Sequence, residues 1–203
     1  MIAIIDACGA NFASVEFALK RLGRAVTLTR DKDIIRSASH VILPGVGTAS
    51  QAMQQLENLQ LISVIQQLTQ PVLGICLGMQ ILHAHSAEGD VDCLGLLPGD
   101  IKPLPEDQGL PIPHMGWNQL CISHATSSLL QDIPNNSYVY YVHSYAAPVT
   151  EHTLATTQYG AIFTAAVHYK NFYGVQFHPE RSGAVGAKIL QNFLVLSESE
   201  GSP

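Results

Sequence analysis

Pro71–Leu82 reads PVLGICLGMQIL. Its first five residues, Pro71–Ile75, form a short apolar run of the kind that makes a buried strand. From Leu77 to Ala84 the pattern turns helical, and Cys76 sits at the change of register between Gly74 and Gly78. A strand that enters a helix through G-x-C-x-G has the layout of a nucleophile elbow, with cysteine in the place of serine. Such a turn is too tight for side chains at 74 and 78, and it lifts the Cys76 sulfur out of the sheet into the crevice beyond the strand ends. The start of the following helix adds free N–H groups and a positive dipole end, both of which favour thiolate. An isolated cysteine is more often a small buried hydrophobe; the paired glycines at this junction shift the reading toward a reactive thiol.

The flanking sequence repeats the alternation. Ile2–Ile5, Ala25–Leu28 and His40–Leu43 read as strands, the last ended by PGVG. Residues from about Asn11 to Leu22 carry a broad apolar face of Phe12, Val15, Phe17, Ala18, Leu19 and Leu22, and Gly23 stops that helix. Thr48 to Leu68 reads as helix in two pieces. Continuous apolar strands separated by helices indicate a parallel sheet covered on both faces, with sites beyond the strand carboxyl ends. From Leu94 to about Phe177 strands dominate instead: SYVYYVHSY, AIFTAAVHY and FYGVQFH are the clear ones. A last helix spans roughly Gly183–Leu194, with Val185, Ile189, Leu190, Phe193 and Leu194 at its apolar positions. The expected architecture is α/β, an open, mostly parallel or mixed central sheet flanked by helices. Residues 1–196 are expected to form one domain and 197–203 a polar, frayed tail.

Bulk properties exclude several classes. The 203 residues are 47% hydrophobic, enough for one sizeable core. The net charge is −6 with only 10 Lys and Arg and no basic block, which argues against nucleic-acid binding. Neither a signal peptide nor a run long enough to span a membrane is legible, so a cytoplasmic protein is expected. Cys8, Cys76, Cys93 and Cys121 are too far apart in sequence for a zinc knuckle or a redox pair, and reduced thiols are the simpler expectation.

A thiolate needs a proton-transfer partner. Among nine histidines, His178 stands out in GVQFHPER. It follows a strand, and Glu180 lies two residues on, so strand periodicity places both on one side. Pro179 stiffens the link and ends the ladder. Glu180 then fixes the imidazole tautomer and leaves the other ring nitrogen for the sulfur, the nucleophile–base–orienter arrangement. A surface His–Glu pair is the competing reading. His83 and His85 read as helical residues at i, i+2 that do not face each other, hence packing or surface residues rather than metal ligands. For an oxyanion, one donor would be the backbone N–H of Leu77. The other would come from Leu43–Thr48, whose glycines could turn a peptide N–H near Gly45–Val46 inward.

Three motifs together, PGVG at 44–47, GICLGMQ at 74–80 and FHPE at 177–180, resemble class I glutamine amidotransferases, in that family's order and across nearly the whole chain. The resemblance implies a flavodoxin-like architecture, glutaminase chemistry, and a triad of Cys76, His178 and Glu180. It also implies an oxyanion hole at Val46 and Leu77, and glutamine held at Gly45, Gly47, Gln80, Ser144 and Tyr145. It implies no cofactor and no metal. Four further stretches, IPHMGWN, YYVHSY, DACGANFASV and FHPERSG, are similar to the glutaminase subunits of imidazole glycerol phosphate synthase. Those subunits dock as heterodimers on the HisF cyclase subunit, a (β/α)8 barrel that consumes the ammonia, and a chain of 203 residues has no room for a synthase domain of its own. On that resemblance Asn11, Met115, Trp117, Asn118, Tyr140 and Arg181 face the partner. Asn11 serves equally well as a helix N-cap, and Arg181 as a solvated charge. DACGAN departs from many relatives, with cysteine and alanine near the first strand; this touches the docking surface and leaves the triad intact.

Two other readings remain open at this level. One is a non-catalytic scaffold, and the other is a cysteine hydrolase of another γ-glutamyl amide or ester, which would leave PHMGWN without a role. On the glutaminase reading the flexible PGVG loop would also serve as a switch, making the free chain a poor glutaminase until partner binding turns the oxyanion donor inward.

Overall fold

The computed structural model describes residues 1–7, 12–106, 109–123 and 127–197. Cys8, Asn11 and the end of the chain from residue 198 lie outside the described residues. Strand β1 (Ile2–Ile5) is buried throughout, and its alternation defines two faces. Ile2 and Ile4 join one core with Val15, Ala18 and Leu19 of α1 (Phe12–Arg21) and Ile189, Leu190 and Phe193 of α6 (Gly183–Phe193). Ala3 and Ile5 join a second core. Its partners are Ile35 of α2 (Lys32–Ser37), Ala52, Met53 and Leu56 of α3 (Ala49–Asn58), and Val64 and Ile65 of α4 (Ile62–Gln66). The expected sheet covered on both faces is present.

The central sheet runs β2 (Val26–Thr29), β1, β3 (His40–Gly45), β4 (Val72–Cys76), β14 (Phe172–Val175), β13 (Ala161–Tyr169), β12 (Thr153–Tyr159) and β9 (Cys121–Ile122). Its first five strands are mutually parallel, and the remainder is antiparallel. The step that matters for function joins β4 to β14. Val72, Leu73, Gly74 and Ile75 pair in register with Phe172, Tyr173, Gly174 and Val175. That pairing sets the carboxyl end of β4 beside that of a strand about a hundred residues later. A second sheet holds β11 (Tyr145–Ala146), β7 (Leu97–Pro103), β5 (His83–Ser86) and β6 (Val91–Asp92), and β8 (His114–Gln119) forms an antiparallel ribbon with β10 (Tyr138–His143).

Three local expectations change, and one helix is present that the apolar pattern does not announce. The helix after Cys76 is a single short turn, α5 (Leu77–Gln80), and the chain then enters β5. The carbonyls of Ile81, Leu82 and His83 accept N–H groups from Leu94, Leu96, Leu97 and Gly95, so a later segment takes the bonds a longer helix would have used. His83 and His85 are accordingly strand residues. His83 is buried against the Met79 carbonyl, and burial holds its pKa down at about 4. His85 lies against Asp90 and Asp92. Phe17 is 57% exposed rather than inward, because it sits two residues from Val15 and off the stripe that Val15, Ala18 and Leu19 define. Helix α2 has no apolar stripe to announce it; it is set by Asp31, whose carboxylate accepts the N–H groups of Asp33 and Ile34 at 2.8 and 3.2 Å. Finally, β14 ends at Val175, and Pro179–Arg181 is a 3-10 turn, not a continuation of the strand.

Candidate active site

Cys76 is the hinge of the elbow, with φ 54° and ψ −111°, a conformation L residues rarely adopt. Two glycines make room for it. A Cβ on Gly78 would lie 1.7 Å from the Leu43 carbonyl oxygen, and one on Gly74 would lie 2.7 Å from Gly78 and Met79 backbone atoms. The turn of α5 therefore rests directly on β3 and β4. Because α5 has only four residues, the dipole expected from a full helix is small here. Polarisation of the sulfur falls to side chains and neighbouring backbone. The sulfur lies 3.6 Å from the Val142 carbonyl and 3.7 Å from Gln176 Nε2.

His178 stands across from it. Its Nδ1 meets Glu180 Oε1 at 2.9 Å, leaving Nε2 for the sulfur. Burial of the ring works against charge, but hydrogen bonds to Cys76 and Glu180, and attraction to both, outweigh it and push the pKa up to about 10. That direction favours the protonated ring, which places a proton beside the sulfur. The 3-10 turn sets this geometry in place of the expected strand alternation. Proline occupies its first position, the Ser182 hydroxyl donates to the His178 carbonyl at 2.7 Å, and Ser182 Oγ accepts the Tyr140 N–H at 3.0 Å. Helix α6 closes over the turn, and a Cβ on Gly186 would lie 2.0 Å from the Pro179 carbonyl. Gly186→Ala should therefore displace the His178–Glu180 turn and depress activity more than thermal stability. A variant with wild-type turnover would show that the turn tolerates the added methyl.

The pH behaviour of His178 is a second expectation. With Cys76 changed to alanine, burial acts against Glu180 alone, so the His178 titration should move down from about 10. Imidazole NMR through the titration reads this directly; an unmoved midpoint would mean the sulfur does not set the charge.

A cavity of ≈190 Å³ opens beside the sulfur. Cys76, Leu77, His178, Gly45, Val46, Gly47, Gln80, Ser144 and Tyr145, all singled out in the sequence, line it together. Gln80 Nε2 donates to the Tyr145 carbonyl at 2.8 Å and to Gln176 Oε1 at 3.0 Å, so both amide hydrogens are committed and Oε1 is left for a ligand. Met115 and Trp117 lie on the ribbon and Arg181 at the turn, all exposed; Asn118 and Tyr140 are half-buried. Trp117 and Tyr140 oppose each other in register and meet edge to face at 5.9 Å. Trp117, 54% exposed, is not packed in the core.

Three neighbours of the site were not legible in the sequence. Gln176, fully buried, links Gln80 to the sulfur. Ser182 holds the His178 turn. Glu88 lines the cavity, one oxygen taken by the Ala49 N–H at 2.9 Å. Glutamine, serine and glutamate are common surface residues, and only tertiary contact marks these three. Among the described cysteines, Cys93 and Cys121 are free thiols that do not line the cavity. Burial, then Asp92, pushes the Cys93 thiol up to about 11. No described helix is long and apolar enough to cross a membrane.

An α/β sheet with a cysteine elbow facing a histidine–glutamate pair is laid out for nucleophilic cysteine chemistry. The chain belongs to the glutamine amidotransferase class-I family, which it matches over residues 3–196, and within that family to the HisH subunits of imidazole glycerol phosphate synthase. It is 51% identical to the HisH subunit of Idiomarina loihiensis over 97% of this chain and 98% of that one. It is 52% identical to that of Pectobacterium atrosepticum over 95% and 98%. Among solved structures, a glutamine amidotransferase superposes with TM-score 0.73 at 16% identity, covering 95% of this chain and 96% of that one. The glutaminase domain of Trypanosoma brucei CTPS, solved with bound acivicin, does so with TM-score 0.66 at 15% identity, covering 95% and 93%. Both share the fold.

Proposed function

We propose that this chain is the glutaminase subunit of an imidazole glycerol phosphate synthase, hydrolysing glutamine to glutamate and ammonia and passing the ammonia to a HisF cyclase subunit. HisF, a (β/α)8 barrel in the cytoplasm, would then convert PRFAR to imidazole glycerol phosphate and AICAR in histidine biosynthesis. The observation that carries the reading is the meeting of Cys76, His178 and Glu180 at the ends of β4 and β14, on a cavity lined by every pocket residue the motifs imply.

The chemistry follows from the arrangement. The Cys76 sulfur attacks the side-chain amide carbon of glutamine. Backbone N–H groups of Val46 and Leu77 take the charge that develops on oxygen. His178 gives its proton to the departing nitrogen, ammonia leaves, and a glutamyl thioester remains. Water then attacks the thioester carbon with His178 taking its proton, and glutamate leaves as the thiolate and the protonated imidazole are restored. Glu180 keeps the imidazole oriented throughout. A non-catalytic scaffold would have no reason to hold a histidine–glutamate pair against a cysteine on an open cavity.

Glu88 is the only carboxylate lining the cavity among the described residues, which fits it to the α-ammonium of glutamine. Glu88→Gln should raise KM for glutamine by about 10- to 100-fold, the range a charged hydrogen bond carries. An unchanged KM would remove Glu88 from substrate recognition.

The ribbon supplies the docking argument. Met115, Trp117 and Tyr138 are 62%, 54% and 54% exposed on neighbouring positions, an apolar patch of the kind a partner covers. Mixing the chain with the barrel subunit and assaying glutamine-dependent synthesis tests the whole reading. Glutamine hydrolysis without synthesis would retain the enzyme and reject the partner.

A further inference from the structure

The inner side of the ribbon holds a feature that the chemistry above does not use. Met115 and Trp117 point outward, while His114, Gly116 and Asn118 alternate inward. His114 Nδ1 meets His143 Nε2 at 2.9 Å, and His143 Nδ1 meets the Tyr145 carbonyl at 2.9 Å. Asn118 Nδ2 lies 3.3 Å from His114 Nε2 and 3.1 Å from the Gln158 carbonyl, while Asn118 Oδ1 accepts the Gln119 N–H.

The protons in this row can be assigned from one end. A carbonyl only accepts, so His143 carries its hydrogen on Nδ1. A neutral ring then has a bare Nε2, which accepts from His114 Nδ1–H. His114 Nε2 is bare in turn and accepts from the Asn118 amide. Every donor points the same way, from Asn118 toward Tyr145. Both rings are kept neutral. Burial lowers the His114 pKa to about 4. Burial, with repulsion from His114 and His178, lowers that of His143 to about 3, partly opposed by its bond to Tyr145. His114 is also fixed as a ring, stacked between Tyr141 at 4.7 Å and Tyr159 at 3.9 Å.

The row ends at the pocket. The Tyr145 carbonyl also accepts from Gln80, Gln80 bonds Gln176, and Gln176 reaches the Cys76 sulfur. We propose that His114 and His143 are positioning residues, through which the seating of the exposed Met115–Trp117 strand sets the Tyr145 carbonyl and with it the glutamine pocket. The proposal rests on the glutaminase reading and goes beyond it, because it assigns two buried imidazoles a role in transmitting partner contact to substrate binding.

Two measurements test it. Long-range 15N NMR of the imidazoles in the isolated chain should show Nδ1–H tautomers for both His114 and His143; an Nε2–H tautomer at either breaks the row and overturns the proposal, whatever the enzyme does. Kinetics of the complex provide the functional arm. His114→Phe keeps a stacking ring and removes both nitrogens, so KM for glutamine should rise about tenfold with kcat changed less than about threefold. His114→Asn, whose amide can replace the Nδ1–H donor, should recover most of that loss. The factor by which the barrel subunit raises kcat/KM should also shrink in His114→Phe. A folded His114→Phe with unchanged KM and unchanged activation overturns the proposal. If His114→Phe does not fold, the Asn variant and the tautomers decide. Wild-type complex without glutamine hydrolysis would instead sink the glutaminase reading, and the tautomer result would still stand.

Discussion

Cys76→Ala will lower glutamine-dependent ammonia release by about 10⁴-fold or more and leave synthesis fed by ammonium salt unchanged. Removal of a covalent nucleophile from a triad costs this much because its partners act as a unit and retain only the contributions of substrate binding and the oxyanion hole. The alanine should not unfold the chain. Cys76 belongs to the buried core but ends its strand at the cavity, and alanine keeps its Cβ and gives up only the sulfur, whose polar contacts are 3.6 and 3.7 Å long. The relevant measurement is glutamate formation in the complex, run beside an ammonium-fed control. Residual glutamine hydrolysis within tenfold of wild type would place the nucleophile elsewhere, and loss of ammonium-fed synthesis would mean that the substitution had damaged the assembly.

Gly78→Ala will have the largest effect on stability. An added Cβ meets the Leu43 carbonyl oxygen at 1.7 Å, and that oxygen belongs to a central strand paired on both sides. Neither α5 nor β3 can yield without breaking the sheet, so the loss should exceed about 4 kcal/mol, the range reserved for severe core defects. Gly95→Ala provides the contrast. Nothing lies within 4 Å of its added Cβ, and only φ +64° opposes it, a cost of about 1 kcal/mol. Chemical unfolding of the two variants separates them; comparable midpoints would show that the elbow has slack the packing does not reveal.

The elbow was readable because its demands are local. Two glycines, an apolar strand and a change of register at one cysteine constrain the backbone within a few residues. The strands of the parallel half and the last helix were readable for the same reason: Ile2–Ile5 and Val72–Cys76 are buried at every position, and α6 keeps Ile189, Leu190 and Phe193 on one face. The reading failed where a distant segment competed for backbone bonds. Leu77–Ala84 has the pattern of a helix, yet Leu94–Leu97 takes the carbonyls of Ile81–His83 and draws the chain into β5. Strand alternation was expected to bring His178 and Glu180 to one side, whereas a 3-10 turn held by Ser182 brings them together.

The sequence by itself determined the α/β alternation, the kink at Cys76 and the identities of the residues that could act with it. Only the tertiary structure decided that they meet, because β14 pairs in parallel with β4 and brings Gln176 and His178 to a sulfur about a hundred residues upstream. It alone also placed Glu88 in the cavity and joined His114 to His143. The physical reason is one of range. Burial patterns and turn sterics are written in neighbouring residues, whereas strand pairing and the hydrogen bonds of buried polar groups are settled between segments far apart in the chain.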